Sequence, residues 1–139
     1  MLSEVELSDV RSLVDRGDVF LNEGGFAKAL VLFREALAII PEPKVEHPVS
    51  LMVWSAIGEA LFYSGSFVEA LTALRAAAKC LGGIENPLVH LRMGQSYFEI
   101  GEMHRAADSL TKAYMLDGSR IFEGEDQKYF TFLTGQIQL

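Results

Sequence analysis

The sequence predicts an all-α fold in which three antiparallel helical hairpins stack side by side and a C-terminal helix covers the last of them. Three observations lead to this prediction. One residue pattern occurs three times, glycines recur where helix–helix turns are expected, and half of the 139 residues are hydrophobic. A chain of this length is expected to form one domain with its own core. Only 22% of the residues are charged, which argues against disorder.

The repeat appears when the chain is aligned from three glycines, because twenty residues then correspond without a gap. The first glycines of the three copies are Gly17, Gly58 and Gly94. Seven residues later each copy has a second glycine, and these are Gly24, Gly65 and Gly101. Two alanine positions follow, namely Ala29, Ala70, Ala106 and then Ala36, Ala77, Ala113. The bulky residues between the alanines are Phe33, Leu74 and Leu110.

Each shared position has a physical role if every copy is a helical hairpin. A small residue at the first glycine position lets two antiparallel helices approach closely, and the bulky residues are expected to fill the seam between hairpins. The second glycine is expected in the turn inside the hairpin, where it accepts backbone angles that other residues resist. Because one hairpin cannot bury its apolar face alone, stacking of neighbours is expected to supply the core.

This pattern resembles the tetratricopeptide repeat, whose signature is W-x2-L-G-x2-Y, then A-x3-F, then P, over about 34 residues. The second copy is the most similar, and its matching residues are Trp54, Ile57, Gly58, Leu61, Ala70 and Leu74. Leu13 and His90 stand where the signature has tryptophan, and Arg16 stands at the first leucine. The first glycines lie 41 and 36 residues apart, so the resemblance, which covers about residues 10–118, includes lengthened linkers.

The resemblance implies a short right-handed solenoid within a single domain spanning 1–139. The repeats would cover about 10–41, 51–82 and 87–118, and residues 119–139 would form the C-terminal cap. It also implies that the first helices of the hairpins line a concave groove that binds a polypeptide. The groove positions carried over one by one are Arg11, Asp18, Asn22, Met52, Ser55, Glu59, Tyr63, Leu88, Arg92, Gln95 and Glu99.

The chemistry of these groove positions is mixed and slightly acidic. Relatives that bind the acidic tails of chaperones carry a clamp of lysine, arginine and asparagine, but Val14 and Asp18 stand at two of those positions here. Co-chaperone activity of that kind is therefore not expected. A basic or amphipathic helical segment is the expected ligand.

The linkers and helix ends carry their own signals. Ser3 and Glu6 have the spacing of a capping box, which places the start of the first helix well before its repeat. Asn86 followed by Pro87 is typical of an N-cap and the first helical position. Residues 41–48 contain three prolines and are expected to form an extended excursion, whose last proline suits the first turn of the next helix.

The C-terminal segment is rich in aromatic residues and has two possible roles. Glu125 and Asp126 favour a helix start, and Tyr129, Phe130 and Leu133 would then form one apolar stripe. The favoured interpretation is a helix that caps the open end of the stack. The alternative is that the aromatic side chains contact a partner or a second copy of the chain, giving a homo-oligomer.

Catalytic and metal-binding patterns are weak throughout. His47, His90 and His104 show no metal-ligand spacing, and Cys80 has no second cysteine with which to form a motif. His90 takes the tryptophan position and is expected to pack, and Cys80 is expected to be a buried, inert thiol. We therefore predict that the protein is not an enzyme and needs no cofactor or metal.

The charge balance and termini indicate the compartment and the class of partner. A net charge of −7 and a pI near 4.9 argue against a nucleic-acid partner. The first residues lack the features of a secretion signal, and no stretch reads as a membrane span. With a single cysteine, a reducing cytoplasm is expected.

Three classes of function remain at this point: an adaptor, a protein whose binding is itself the biological effect, and an enzyme. The leading one is a cytoplasmic adaptor of the small bacterial type that binds one specific polypeptide. The alternatives are an immunity protein that neutralises a bacterial toxin and a secretion chaperone for an effector, and a gene neighbour encoding such a toxin or effector would distinguish them from an adaptor. An enzyme is the least favoured.

Overall fold

The computed structural model describes residues 1–137, and seven α-helices and no strands are found in that range. The helices are α1 Glu4–Asn22, α2 Phe26–Ile39, α3 Ser50–Tyr63, α4 Phe67–Lys79, α5 Pro87–Glu99, α6 Met103–Asp117 and α7 Gln127–Gln136. Short 3-10 turns lie at Lys44–Glu46 and Gly118–Phe122. The last two residues of the predicted 119–139 cap lie outside the described residues.

The helices pair as three hairpins that stack in chain order. Helix α1 packs on α2, α3 on α4 and α5 on α6, and successive hairpins meet through α2 with α3 and α4 with α5. The first helices also contact one another, α1 with α3 and α3 with α5, so together they form one face of the stack. The predicted all-α fold of stacked hairpins is confirmed.

The first glycine of each repeat lies directly under the bulky residue of its own hairpin. A Cβ added at Gly58 would stand 2.5 Å from Leu74 Cδ2, and one added at Gly94 would stand 2.6 Å from Leu110 Cδ2. The sequence suggested instead that the bulky residues fill the seam between hairpins. They pack within the hairpin because they lie on the face of the second helix that turns toward the glycine.

The second glycine of each repeat forms the turn inside its hairpin, as predicted. Gly24, Gly65 and Gly101 have φ angles of 82°, 82° and 81°, in the left-handed region that side chains with a Cβ rarely adopt. The same turn is therefore built three times.

The predicted caps define three helix starts. Ser3 Oγ accepts a hydrogen bond of 3.1 Å from the backbone N–H of Glu6, whose carboxylate in turn accepts from the N–H of Ser3 at 3.0 Å, so the capping box is present. Asn86 Oδ1 accepts from two N–H groups in the first turn of α5. Asp126 caps α7 by accepting from the N–H of Lys128 at 2.9 Å. These three acceptors satisfy donors that helix ends leave unpaired.

The proline-rich linker is tied to the neighbouring helices by side-chain hydrogen bonds. Lys44 Nζ donates to the carbonyl oxygen of Leu37 at 3.0 Å and also to that of Ile40, at the C-terminus of α2. Ser50 Oγ donates to the carbonyl oxygen of Lys44. Pro48 was predicted to lie in the first turn of the next helix. Helix α3 begins at Ser50, so Pro48 precedes the helix and that prediction is wrong.

The apolar core has a large part in hairpins one and two and a second part at the C-terminal end. In the second part, Leu91 and Leu110 of hairpin three pack with Phe122, Tyr129 and Leu133. Leu110 and Leu133 are fully buried. The C-terminal segment, residues 118–137, thus covers hairpin three as a cap does.

His90 and Cys80 have the packing roles that the sequence predicted. His90 is buried, and its Nε2 lies 2.7 Å from the carbonyl oxygen of Ile84. Cys80 is buried at the end of α4, where its Sγ contacts the carbonyl oxygen of Ala76, and burial raises the pKa of its thiol. A thiol with a raised pKa is a poor nucleophile at neutral pH.

Replacing Gly58 or Gly94 by leucine is expected to lower the free energy of unfolding by roughly 1–3 kcal/mol or more, because the new side chain overpacks a helix pair. Urea denaturation measures the change. Gly135→Leu is the matched control, since a Cβ there meets nothing within 4 Å. If all three variants unfold at the same urea concentration, the conclusion that each glycine packs closely against the bulky residue of its hairpin is contradicted.

Candidate partner-binding groove

The face formed by the first helices contains a cleft of about 440 Å³ between α1, α3 and the start of α5. Its walls are mostly apolar, and its two acidic residues are Asp18 and Glu59. The lining residues are Val14, Asp18, Leu21, Pro48, Leu51, Met52, Ser55, Ala56, Glu59, Asn86 and Leu88. The cleft therefore presents an apolar surface with carboxylates beside it.

A second cleft of about 660 Å³ continues from the first toward the N-terminus. The two clefts share Pro48 and Met52. The residues that line the second cleft are Met1, Leu2, Leu7, Arg11, Glu46, His47, Pro48, Val49 and Met52. We call the two clefts together the open groove; it lies over hairpins one and two.

Two polar groups in the open groove have environments that favour a ligand. Partial burial, and then the nearby charge of Asp15, raises the pKa of Asp18, so a cation beside this carboxylate would relieve an unfavourable charge. Ser55 Oγ is buried and has no hydrogen-bond partner among the described residues. A buried hydroxyl without a partner costs free energy until a polar group reaches it.

A buried arginine closes the groove at hairpin three. Arg92 is only 4% exposed, and its guanidinium donates hydrogen bonds to four residues on three parts of the chain. Its Nε donates to Glu59, Nη1 donates to Gln95 Oε1 at 2.9 Å and to Glu125 Oε1 at 2.6 Å, and Nη2 donates to the Tyr63 hydroxyl at 2.9 Å. Gln95 Nε2 also donates to Glu125 Oε1, at 2.8 Å. The carboxylate of Glu125 is thus held by two residues of α5.

The two carboxylates keep Arg92 charged although it is buried. Burial acts to lower the pKa of the guanidinium, but Glu59 and Glu125 together outweigh it and raise that pKa. The rings of Phe62 and Tyr63 lie 5.2 and 5.3 Å from the guanidinium carbon and add cation–π contacts. Removing one partner from such a buried group leaves an uncompensated charge, which is the costly case.

Further contacts hold α7 against the end of α5. Glu99 accepts a hydrogen bond of 2.8 Å from the Tyr129 hydroxyl and pairs with Lys128 Nζ at 2.9 Å. The Phe98 ring meets Tyr129 and Phe132 edge-on, with ring centroids 5.4 and 5.3 Å apart. The part of the concave face that Arg92, Gln95 and Glu99 of hairpin three form is therefore covered by the C-terminal segment.

The structure divides the eleven predicted groove positions into three sets. The positions that line the open groove are Arg11, Asp18, Met52, Ser55 and Leu88. The positions at its boundary with the arginine network are Glu59 and Tyr63. The positions covered by the C-terminal segment are Arg92, Gln95 and Glu99. Asn22 is exposed near the end of α1 and lines neither cleft.

The covered set differs from the expectation because the repeat register assigns a face but not what lies on it. Arg92 and Gln95 have the register of groove residues, but they bind Glu125, which is 33 and 30 positions later in the chain. A signal for this contact was present in the acidic Glu123, Glu125 and Asp126, which follow hairpin three, because the first helix of that hairpin carries Arg92 at a groove position. Glu125 and Asp126 were interpreted from the sequence only as a helix start.

Comparison with known proteins supports the fold and does not extend to function. The sequence matches no protein-family profile and none of the curated proteins. A solved structure described as the crystal structure of MamA matches with a TM-score of 0.68. The two chains are 15% identical, and the match covers 91% of this chain and 75% of that one. At this identity the likeness shows the fold alone, which is a tetratricopeptide-like helical repeat.

Neither a membrane-spanning helix nor a metal-binding cluster is found within residues 1–137. No helix in that part of the chain is long and apolar enough to cross a membrane. No group of three or more histidine, cysteine, aspartate or glutamate side chains there could hold a metal ion.

Arg92→Met is expected to lower the free energy of unfolding by about 3–5 kcal/mol, because Glu59 and Glu125 lose their shared cation while half-buried. Chemical denaturation at neutral pH measures the loss. Arg120→Met is the control, since its pair with Asp117 is exposed and worth at most about 1 kcal/mol. A loss at Arg92 no larger than that at Arg120 would contradict the structural role of the network.

Tyr129→Phe is expected to reduce the loss of stability at alkaline pH. Burial and the Glu99 hydrogen bond raise the pKa of Tyr129 in the folded state. The hydroxyl therefore stabilises the fold below its unfolded pKa of about 10, and this contribution is lost as the pH rises toward the folded value.

Thermal unfolding between pH 8 and pH 11.5 checks this dependence. Tyr114→Phe is the control, because the Tyr114 hydroxyl makes no hydrogen bond within residues 1–137. Identical pH profiles for the two variants would show that ionisation of the buried Tyr129 hydroxyl does not cause the loss of stability at alkaline pH.

Proposed function

We propose that this protein is a non-enzymatic interaction module that binds one specific polypeptide segment in the open groove over hairpins one and two. The observation that supports the proposal is the continuous run of two clefts along the first helices, which together exceed the size of one side chain many times. Concave surfaces of this kind are what stacked helical repeats use for binding. The hairpin-three end is already covered by the chain itself.

The lining of the open groove favours a basic, amphipathic segment. Apolar side chains of Val14, Leu51 and Leu88 would accept the apolar face of such a segment. Asp18 would pair with a lysine or arginine, and its raised pKa indicates how much a cation there would be favoured. A rotation of the Ser55 side chain would present its Oγ, which has no partner within residues 1–137, to a hydrogen-bonding group of the ligand. The protein would thus recognise its ligand through one charge, one hydrogen bond and an apolar surface.

Binding as such is the function we propose, in a reducing cytoplasm. The adaptor role needs only that the bound segment be held. Neutralising a toxin and chaperoning an effector would use the same groove, so they differ from the adaptor role in what the partner is. Catalysis finds no support in the candidate side chains, since His90 is bonded to a backbone carbonyl and the pKa of Cys80 is raised.

Selection from a displayed peptide library tests the groove. Peptides are selected on the wild-type protein and depleted on Asp18→Lys, and we expect the survivors to combine lysine or arginine with apolar residues at helical spacing. Their affinity is expected to fall about tenfold on Asp18→Lys, because attraction at that position becomes repulsion.

Asp15→Lys is the matched control for this selection. It makes the same charge change one turn away on α1, and Asp15 lies outside both clefts. Peptides that lose affinity equally on both variants, or survivors that are acidic, would contradict the proposed site.

A further inference from the structure

The second helices of the hairpins form the opposite face of the stack, and two arginines there share one aromatic ring. The guanidinium carbons of Arg75 on α4 and Arg105 on α6 lie 5.5 and 6.0 Å from the ring centroid of Tyr97. Arg75 Nη2 also donates a hydrogen bond of 3.0 Å to the Tyr97 hydroxyl. Tyr97 is buried between the two helices, whereas both arginines are exposed. Two cationic groups are therefore held at the surface by a fixed ring.

These arginines have no acidic partner in the part of the chain that the structure describes. Residues 1–137 place no carboxylate within 4.0 Å of Arg75, Arg105 or the neighbouring Lys79. By contrast, Lys44 and Lys112 at the edges of the same face pair with carboxylates at 3.7 and 3.1 Å. Three exposed cations at the centre of this face thus form no ion pair within residues 1–137, and the carboxylates that line the same clefts, Glu42 and Asp108, pair with Lys44 and Lys112.

Two clefts flank the shared ring. One of about 670 Å³ lies between α2, α4 and the linker, and it is lined by Trp54, Val45, Arg75 and Lys79 among others. The other, of about 360 Å³, lies between α4 and α6 and contains the Tyr97 ring and Arg105. Arg75 lines the first cleft and bonds the tyrosine of the second, so the two form one surface.

The distribution of charge separates this face from the open groove. The first helices α1, α3 and α5 carry seven acidic and three basic residues. The second helices α2, α4 and α6 carry six basic and four acidic residues. Since charges are screened over about 8 Å at physiological ionic strength, a ligand on the second helices experiences the local cations more than the net charge of −7.

We propose that this surface, defined by Trp54, Arg75, Lys79, Tyr97 and Arg105, binds an acidic polypeptide segment. Arginine pairs with carboxylates in a bidentate manner, and the Tyr97 contacts order both guanidinium groups before a ligand arrives, which lowers the entropy cost of binding. Trp54, only partly exposed, offers an apolar or aromatic contact beside the charges. Nucleic acid is disfavoured because three cations neutralise few phosphates and the rest of the chain is acidic.

Fluorescently labelled poly-L-glutamate tests this surface directly. Fluorescence anisotropy at low salt is expected to show binding to the wild-type protein that weakens as salt rises. Arg75→Gln/Arg105→Gln is expected to reduce the affinity at least about tenfold, and Arg75→Lys/Arg105→Lys is expected to be intermediate because the charge stays but the planar fork is lost.

Arg16→Gln/Arg34→Gln is the matched control, since it removes the same charge from two exposed arginines outside both clefts of this face. It should change the affinity less than twofold. Circular dichroism confirms that each variant is folded. The Asp18→Lys variant separates this surface from the open groove, because it should leave poly-L-glutamate binding intact or stronger.

Three results would overturn the proposal. The first is no saturable binding of poly-L-glutamate by the wild-type protein at low salt. The second is an equal loss of poly-L-glutamate affinity in the Arg75→Gln/Arg105→Gln and Arg16→Gln/Arg34→Gln double variants, which would mean that the attraction is unspecific. The third is tighter binding of single-stranded oligodeoxynucleotide than of poly-L-glutamate at the same two arginines, which would assign the surface to another class of ligand.

Discussion

Arg92 connects three parts of the chain that are far apart in sequence. Its guanidinium donates to Glu59 and Tyr63 on α3, to Gln95 on its own helix, and to Glu125 in the C-terminal segment. A cation this deeply buried is tolerated only if its charge and its donors are matched, and the two carboxylates supply that match. The position of the C-terminal segment therefore depends on Arg92. So does the boundary of the open groove, because Glu59 is both a partner of Arg92 and a wall of the cleft.

This arrangement makes the concave face asymmetric. Three equivalent hairpins would present three equivalent stretches of groove, but the stretch of hairpin three is covered by the segment that follows it. The apolar cluster of Leu91, Leu110 and Leu133 is buried in the same way. The cap thus supplies the core that a terminal repeat lacks, and it leaves the concave face open mainly over hairpins one and two. On the opposite face, exposed arginines form no ion pairs within residues 1–137, so the charge there is positive, whereas the open groove is acidic. If both proposed sites bind as inferred, this one small fold distinguishes two kinds of polypeptide by charge.

What the sequence predicts well is local. The second glycines, the Ser3 capping box and the helix start at Asp126 depend on neighbouring residues, and all were found as expected. The close approach of two helices at Gly58 was also predicted. Leu74, however, was expected to fill the seam between hairpins, whereas it contacts Gly58 inside its own hairpin. The Arg92 network was not predicted, because Glu59, Tyr63 and Glu125 are about 30 positions away and no helical periodicity links them to Arg92. Repeat register gives the face of a helix; only tertiary packing decides whether that face is covered.

The Glu125 contact with Arg92 holds the C-terminal segment on hairpin three. Amide hydrogen exchange of α7 in the wild-type protein and in Glu125→Gln tests it most directly, because exchange reports local opening. We expect the amides of residues 129–136 to exchange at least about tenfold faster in the variant, with α1 and α2 unchanged. Unchanged protection of α7 in Glu125→Gln, or wild-type α7 amides that exchange as fast as those of an unfolded chain, would contradict the account.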